Sequence, residues 1–167
     1  MADSYQPSAD ILRKYAQVLI NFALNSGEGV KAGEVVELVV PDVAKPLALE
    51  LHNAVLEAGA HPMVRLIPTG FEKAFFDRAN DQQLTFFPKD FLRERINVID
   101  HLVGVIADVD PFELVNVDPA KLIKARDAKK EYMDWRTDKE AKGKFTWTMA
   151  LWGEVAKATE VGLTLEE

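Results

Sequence analysis

Apolar residues recur along this chain at two different spacings, and the spacing names the elements. Ile11, Tyr15, Val18 and Phe22, joined by Leu12 and Leu19, fall at helical intervals. They predict a helix with Ser8 as its N-cap, an apolar stripe on one side and Arg13, Lys14, Gln17 and Asn21 on the other. Asn25-Ser26-Gly27 ends it. Val35 to Val40 is a near-continuous apolar run, which suits a strand buried on both faces of a parallel sheet. Pro41-Asp42 closes the strand, with Asp42 as N-cap of a second helix. Pro46 lies in its first turn, where a missing N–H costs little. Leu47, Leu51 and Val55 form the core face of that helix, and Gly59 suits its C′ position. Met63 to Ile67 is the second strand.

The pattern continues with a helix over Phe71 to Asn80 and an ambiguous stretch, Leu84 to Phe87, that reads as loop or short helix. Asp90 caps a helix running to Ile99, and His101 to Ala107 is a third buried strand. Asp118-Pro119 has the N-cap and N1 residues of a long helix. Ala125, Ala128, Tyr132 and Trp135 make its inner face, and Gly143 ends it. Phe145 to Leu151 is the fourth strand, and Glu154 to Glu160 a shorter helix. Strands separated by helices imply right-handed crossovers, which give the strand order 2-1-3-4. The predicted fold class is α/β, a three-layer, mostly parallel sheet of about four or five strands flanked by helices with Rossmann-like topology. Residues 1–160 make one such domain. Thr164 and Glu167 have the spacing of a capping box, so residues 161–167 read as the start of a further helix.

At 167 residues the chain is long enough for a sizeable core. No apolar run approaches the roughly 20 residues that span a bilayer. The first ten residues, MADSYQPSAD, are polar and acidic, unlike a secretory signal. With no cysteine there is neither a disulfide nor a thiolate metal site. A cytoplasmic location and no membrane partner are expected. The net charge of −7 argues against nucleic acid as a partner, because phosphate affinity needs a positive surface.

Candidate chemistry is sparse. His52, His61 and His101 show no i,i+4 pairing and no HExxH, so each reads as a structural or surface residue rather than a metal ligand. Asp42 follows the first strand, and Asp108 and Asp110 follow the third, near the sheet edge where open α/β folds bind ligands. A receiver-like magnesium site from these three is one reading. Helix capping by Asp42 and a proline turn flanked by Asp108 and Asp110 is the plainer one. No G-x-G-x-x-G, P-loop or G-x-S-x-G is present. Lys121, Lys124, Arg126, Lys129, Lys130 and Arg136 alternate with Asp127, Glu131, Asp134 and Asp138, as on a solvated helix face. Trp147 reads as core, and Trp152, beside Gly153, as an interface or pocket wall.

Three blocks carry a family likeness. Lys14-Tyr15-Ala16, Leu19 and Ala23-Leu24-Asn25 form the first, and Gly27, Val30-Lys31 and Gly33-Glu34-Val35-Val36 the second. Pro46-Leu47-Ala48, Leu51, Ala54 and Ala58-Gly59-Ala60-His61-Pro62 form the third. In this order and spacing they resemble the opening of the metal-dependent aminopeptidases of the aminopeptidase T and aminopeptidase S type. The likeness extends through Gln83-Leu84-Thr85-Phe86-Phe87-Pro88 and Asp118-Pro119 to Thr146-Trp147-Thr148-Met149-Ala150-Leu151-Trp152. Gly153 departs from the proline many members carry there.

The resemblance implies the N-terminal, non-catalytic domain of a dinuclear-metal aminopeptidase that removes N-terminal residues from peptides. It implies that the glutamate, histidine, tyrosine and aspartate ligands of two divalent metals (zinc, cobalt or manganese) belong to a C-terminal domain outside these residues. No catalytic or metal residue is therefore expected here, no cofactor in this chain, and no substrate-binding residue is assigned. The implied partners are that catalytic domain, a second copy in a homodimer, and short peptides held in a chamber that this domain helps to enclose. On this reading residues 161–167 begin the helix that leads to the catalytic domain. The alternative is a free-standing α/β binding or regulatory module, for a nucleotide or a magnesium-dependent phosphoryl group.

Overall fold

In the computed structural model, which describes residues 5–166, helices and strands alternate along the chain. Their order is α1 (Ala9–Asn21), β1 (Val35–Pro41), α2 (Lys45–Glu57), β2 (His61–Ile67), α3 (Phe71–Arg78), α4 (Asp81–Leu84), α5 (Lys89–Val98), β3 (His101–Ile106), α6 (Pro119–Asp127), α7 (Lys130–Ala141), β4 (Thr146–Leu151) and α8 (Val155–Glu160). The strands form one sheet in the order β2-β1-β3-β4, and each adjacent pair is parallel. This is the α/β architecture and strand order that the sequence predicts.

The main core lies between one face of the sheet and the helices α1 and α2. Val36, Leu38 and Val40 of β1 join Val103 and Val105 of β3 and Ala150 of β4 there. Leu47, Leu51 and Val55 project onto them from α2 and are fully buried. Burial of each such side chain contributes about 1.5–3 kcal/mol. The opposite face is covered by α5 and α7, where Ile96, Ile99 and Phe145 pack with Val35, Leu102, Tyr132 and Trp135. A third small cluster, Phe76, Ala79, Leu84, Val117 and Ala125, ties α3 and α4 to α6. β2 is an edge strand, and most of its side chains remain exposed.

Several local expectations change. In α1 the buried face is Leu12, Ala16, Leu19 and Ile20, while Ile11, Val18 and Phe22 face outward. Both rows have helical spacing, and only the position of α2 selects between them. Ser8 does cap α1, accepting from the Ile11 N–H. Asp42 makes no side-chain cap on α2; a short 3-10 turn, Asp42–Ala44, precedes that helix. Asp90 likewise sits inside α5, whose N-cap is Pro88. The ambiguous stretch, Leu84 to Phe87, starts at the last residue of α4, a helix capped by a reciprocal Asn80 and Gln83 box, and continues as turn and loop. The long helix predicted after Pro119 is two, α6 and α7, separated at Ala128 and Lys129. The two helices serve different cores, Ala125 the small cluster and Tyr132 and Trp135 the sheet face. Trp147 leaves the core expected for it, whereas Trp152 does wall a pocket, beside Gly153. Trp147 is exposed and donates its Nε1–H to Glu140 at 3.0 Å, whereas Trp152 packs on the main core. The predicted capping box of Thr164 and Glu167 extends to Glu167, outside the described residues.

Candidate functional site

The carboxyl edge of the sheet is the first place to look, because β1 and β3 diverge there into opposite crossovers. A crevice of about 440 Å³ opens at that edge, lined by Pro41, Ile67, Thr69, Lys73, Asp108 and Asp110 among others. Asp42 does not join the aspartates in it. Its carboxylate accepts from the Thr69 N–H at 3.1 Å and from the Thr69 hydroxyl at 2.6 Å. Those two bonds hold the carboxyl below its ordinary range. Asp42 thus clamps the loop after β2 to the end of β1. Asp110 accepts from the Phe112 N–H at 2.9 Å, which makes it a turn residue.

The three histidines are not brought together. His52 lies on α2 beside Asn53, 3.4 Å from its side-chain oxygen, and His61 is exposed at the start of β2. His101 is buried at the start of β3. Its Nε2 is 2.8 Å from a Glu34 carboxylate oxygen and its Nδ1 is 2.8 Å from the Thr146 hydroxyl. Thr146 also accepts from the Asn25 N–H at 3.1 Å. This chain joins the amino ends of β1, β3 and β4. Burial pushes the Glu34 carboxyl up, but the Lys31 N–H and the His101 ring outweigh it, and the net shift is downward. Among the described residues no group of three or more histidine, cysteine, aspartate or glutamate side chains is placed to hold a metal ion. Neither the aspartates nor the histidines form the donor set a metal centre requires.

A third feature is a charge in the sheet that periodicity alone misses. Glu37, in the middle of β1, is only 3% exposed. Arg95 of α5 donates to both of its oxygens, from Nε at 2.8 Å and from Nη2 at 2.6 Å. Arg65 of β2 approaches the same carboxylate to 3.8 Å. Burial and the Arg95 charge lower the Arg65 pKa, and Glu37 offsets this only in part. The pair floors a groove of about 740 Å³ between β2 and α5, walled by Met63, Phe91, Leu92, Glu94 and Val98. The sequence signal was Glu37 itself, the one charged residue in the run from Val35 to Val40.

Comparison with known proteins fits these observations. No curated protein sequence matches the chain. Among solved structures, wild-type AmpT from Thermus thermophilus superposes with a TM-score of 0.75 at 20% sequence identity. The overlap takes in 93% of this chain and 40% of that one, so the chain spans well under half the length of AmpT. The likeness establishes the fold. The family model described as thermophilic metalloprotease (M29) matches residues 8–167, nearly the whole chain, and the chain therefore belongs to that family.

Proposed function

We propose that this chain is the N-terminal, non-catalytic α/β domain of a dinuclear-metal aminopeptidase that removes N-terminal residues from peptides. The observation that carries the reading is a pairing. The family model spans residues 8–167, yet the AmpT likeness reaches only 40% of the AmpT chain. A metalloprotease needs several His, Asp or Glu ligands converging on its metals. The described residues do not supply that set. On this reading the ligands for two divalent metals, zinc, cobalt or manganese, lie in a C-terminal domain, and this domain helps to enclose the active-site chamber. The chamber admits short peptides, and the whole protein acts as a cytoplasmic homodimer.

The test is direct. The 167-residue chain is incubated with zinc, cobalt or manganese and an amino-acid anilide, and anilide release is followed. The expected result is no metal-dependent turnover. Turnover at ordinary enzyme rates would place a metal centre in this chain and overturn the reading. Magnesium binding that is lost in Asp108→Ala would instead establish the receiver-like alternative.

A further inference from the structure

We propose that the carboxyl end of α5 is a monovalent-cation site that the protein fills with its own Lys139 ammonium, and that a potassium or primary alkylammonium ion binds there when that side chain is removed.

The site is built from a helix end. The last carbonyls of an α-helix have no partner within the helix. The Ile99 N–H closes the last bond of α5 on the Arg95 carbonyl. The carbonyls beyond that point need donors from elsewhere, and Lys139 of α7 supplies them. Its Nζ donates to the carbonyls of Ile96 at 2.9 Å, Asn97 at 3.1 Å and Ile99 at 2.6 Å. An ammonium carries three N–H groups, one for each of these oxygens. The helix dipole adds partial negative charge at the same end.

The oxygens that hold the charge are carbonyl dipoles rather than carboxylates. Burial pushes the Lys139 pKa down, Asp100 opposes this from nearby and Lys144 adds to it. The three carbonyls therefore carry the hold on the cation. Rings of carbonyl oxygens also replace the water around potassium in ion channels. Ammonium and potassium are alike in charge and close in size, so a cage that suits one suits the other. Water supplies the remaining ligands of a free ion, because Lys139 lines a polar pocket of about 320 Å³. Its charged neighbours in that pocket are Glu34, which is bonded to His101, Asp100 and Lys144. Carrying the cation on a side chain removes the entropic cost of capturing a free one. It also ties α7 to the junction of α5 and β3.

The experiment uses the intact 167-residue chain. Thermal melts are run in potassium, propylammonium and tetramethylammonium chloride at equal concentration. Lys139→Ala removes the four side-chain atoms that propylammonium restores. Tetramethylammonium has the charge but no N–H, and it is too large for the cage. Lys139→Ala should melt below the wild type and regain about 2–4 °C in potassium or propylammonium relative to tetramethylammonium. The gain should grow with the logarithm of ion concentration. The wild type should not distinguish the three salts. A variant that melts alike in all three, or a wild type with the same preference, overturns the proposal. If Lys139→Ala is unfolded in tetramethylammonium, folding in the other two salts supports the proposal, and failure to fold in any of them overturns it. A second variant tests the charge itself. The chain has no cysteine, so Lys139→Cys offers a single thiol, which is alkylated in urea before refolding. Bromoethylamine rebuilds a side chain of lysine's length that ends in an ammonium, and iodoacetamide builds a neutral one. The ammonium form should recover the wild-type melting temperature and the neutral form should not. Equal melting of the two forms overturns the proposal. These readouts concern the fold of this domain and do not rest on the proposed enzymatic role.

Discussion

Arg95 grips Glu37 with two parallel hydrogen bonds, at 2.8 and 2.6 Å, across the interface between α5 and the sheet. The carboxylate is buried and the guanidinium nearly so, with 15% of its side chain exposed. Burial lowers the Arg95 pKa, but its bonds to Glu37 outweigh that and raise it. Arg95 also stacks over the Tyr132 ring, 5.6 Å from its centroid, which links the pair to α7. Removing either partner leaves the other buried without its hydrogen-bonded counter-ion. Arg95→Met should therefore cost about 3–5 kcal/mol, whereas the double change Glu37→Leu with Arg95→Met should cost much less. Urea denaturation of the two variants and the wild type measures the difference. Equal losses in both would show that packing, not charge, is the main role of the pair.

The histidine bridge at the amino edge of the sheet predicts acid sensitivity. Glu34 has a pKa held below its ordinary value of 4.5. A carboxyl lowered in the folded state adds stability above the unfolded pKa and loses it as pH falls through the folded one. The contribution should be complete at neutral pH and fade below about pH 4.5. Glu34→Gln should flatten the acid limb of a stability-against-pH curve below about pH 4.5. Thermal melts across that range check it.

Thr146 holds two partners at once, the His101 ring and the Asn25 N–H. Thr146→Val keeps the shape and strands both. The expected cost is about 1–3 kcal/mol. Hydrogen exchange should show the Asn25 amide losing protection in this variant. An Asn25 amide that exchanges no faster would mean that its hydrogen bond to the threonine oxygen is not what protects it.

Two adjacent residues test which face of α1 is inside. Leu19 is 5% exposed and Val18 is 54% exposed. Leu19→Ala should cost about 2–5 kcal/mol, since it opens a cavity against α2. Val18→Ala should stay within about 0.5 kcal/mol. Reversed values would invert the packing of the helix on the sheet.

Gly29 meets a tighter limit than any of these. At φ +71, an added Cβ would run into the Asn21 backbone, its carbonyl oxygen first, and backbone cannot swing aside as a side chain can. Gly29→Ala should lower the melting temperature sharply. Gly33→Ala, also at positive φ but with open space around it, should cost only about 1–2 kcal/mol.

The sequence by itself determined the elements and their connection. Apolar spacing located the helices α1 and α2. The run from Val35 to Val40 marked a buried parallel strand, and the handedness of crossovers ordered the sheet. Ser8, Asp118, Gly59 and Gly143 act locally, through caps and left-handed turns, so they too were legible. The ordered blocks from Lys14 to Pro62 were enough to suggest the family.

Tertiary structure decided everything that depends on which residues meet. Periodicity shows that a stripe exists but not which side a neighbour will cover, so Leu12 and Ala16 rather than Ile11 and Val18 became core. Asp42 left its expected cap because Thr69, 27 residues away, offers two donors. Glu37 lies between Arg95 and Arg65, 58 and 28 residues distant along the chain, and His101 between Glu34 and Thr146. Such pairings are set by sheet order and register, which no local pattern encodes. The groove that holds Glu37, Arg65 and Arg95 exists only once β1, β2 and α5 have been brought together.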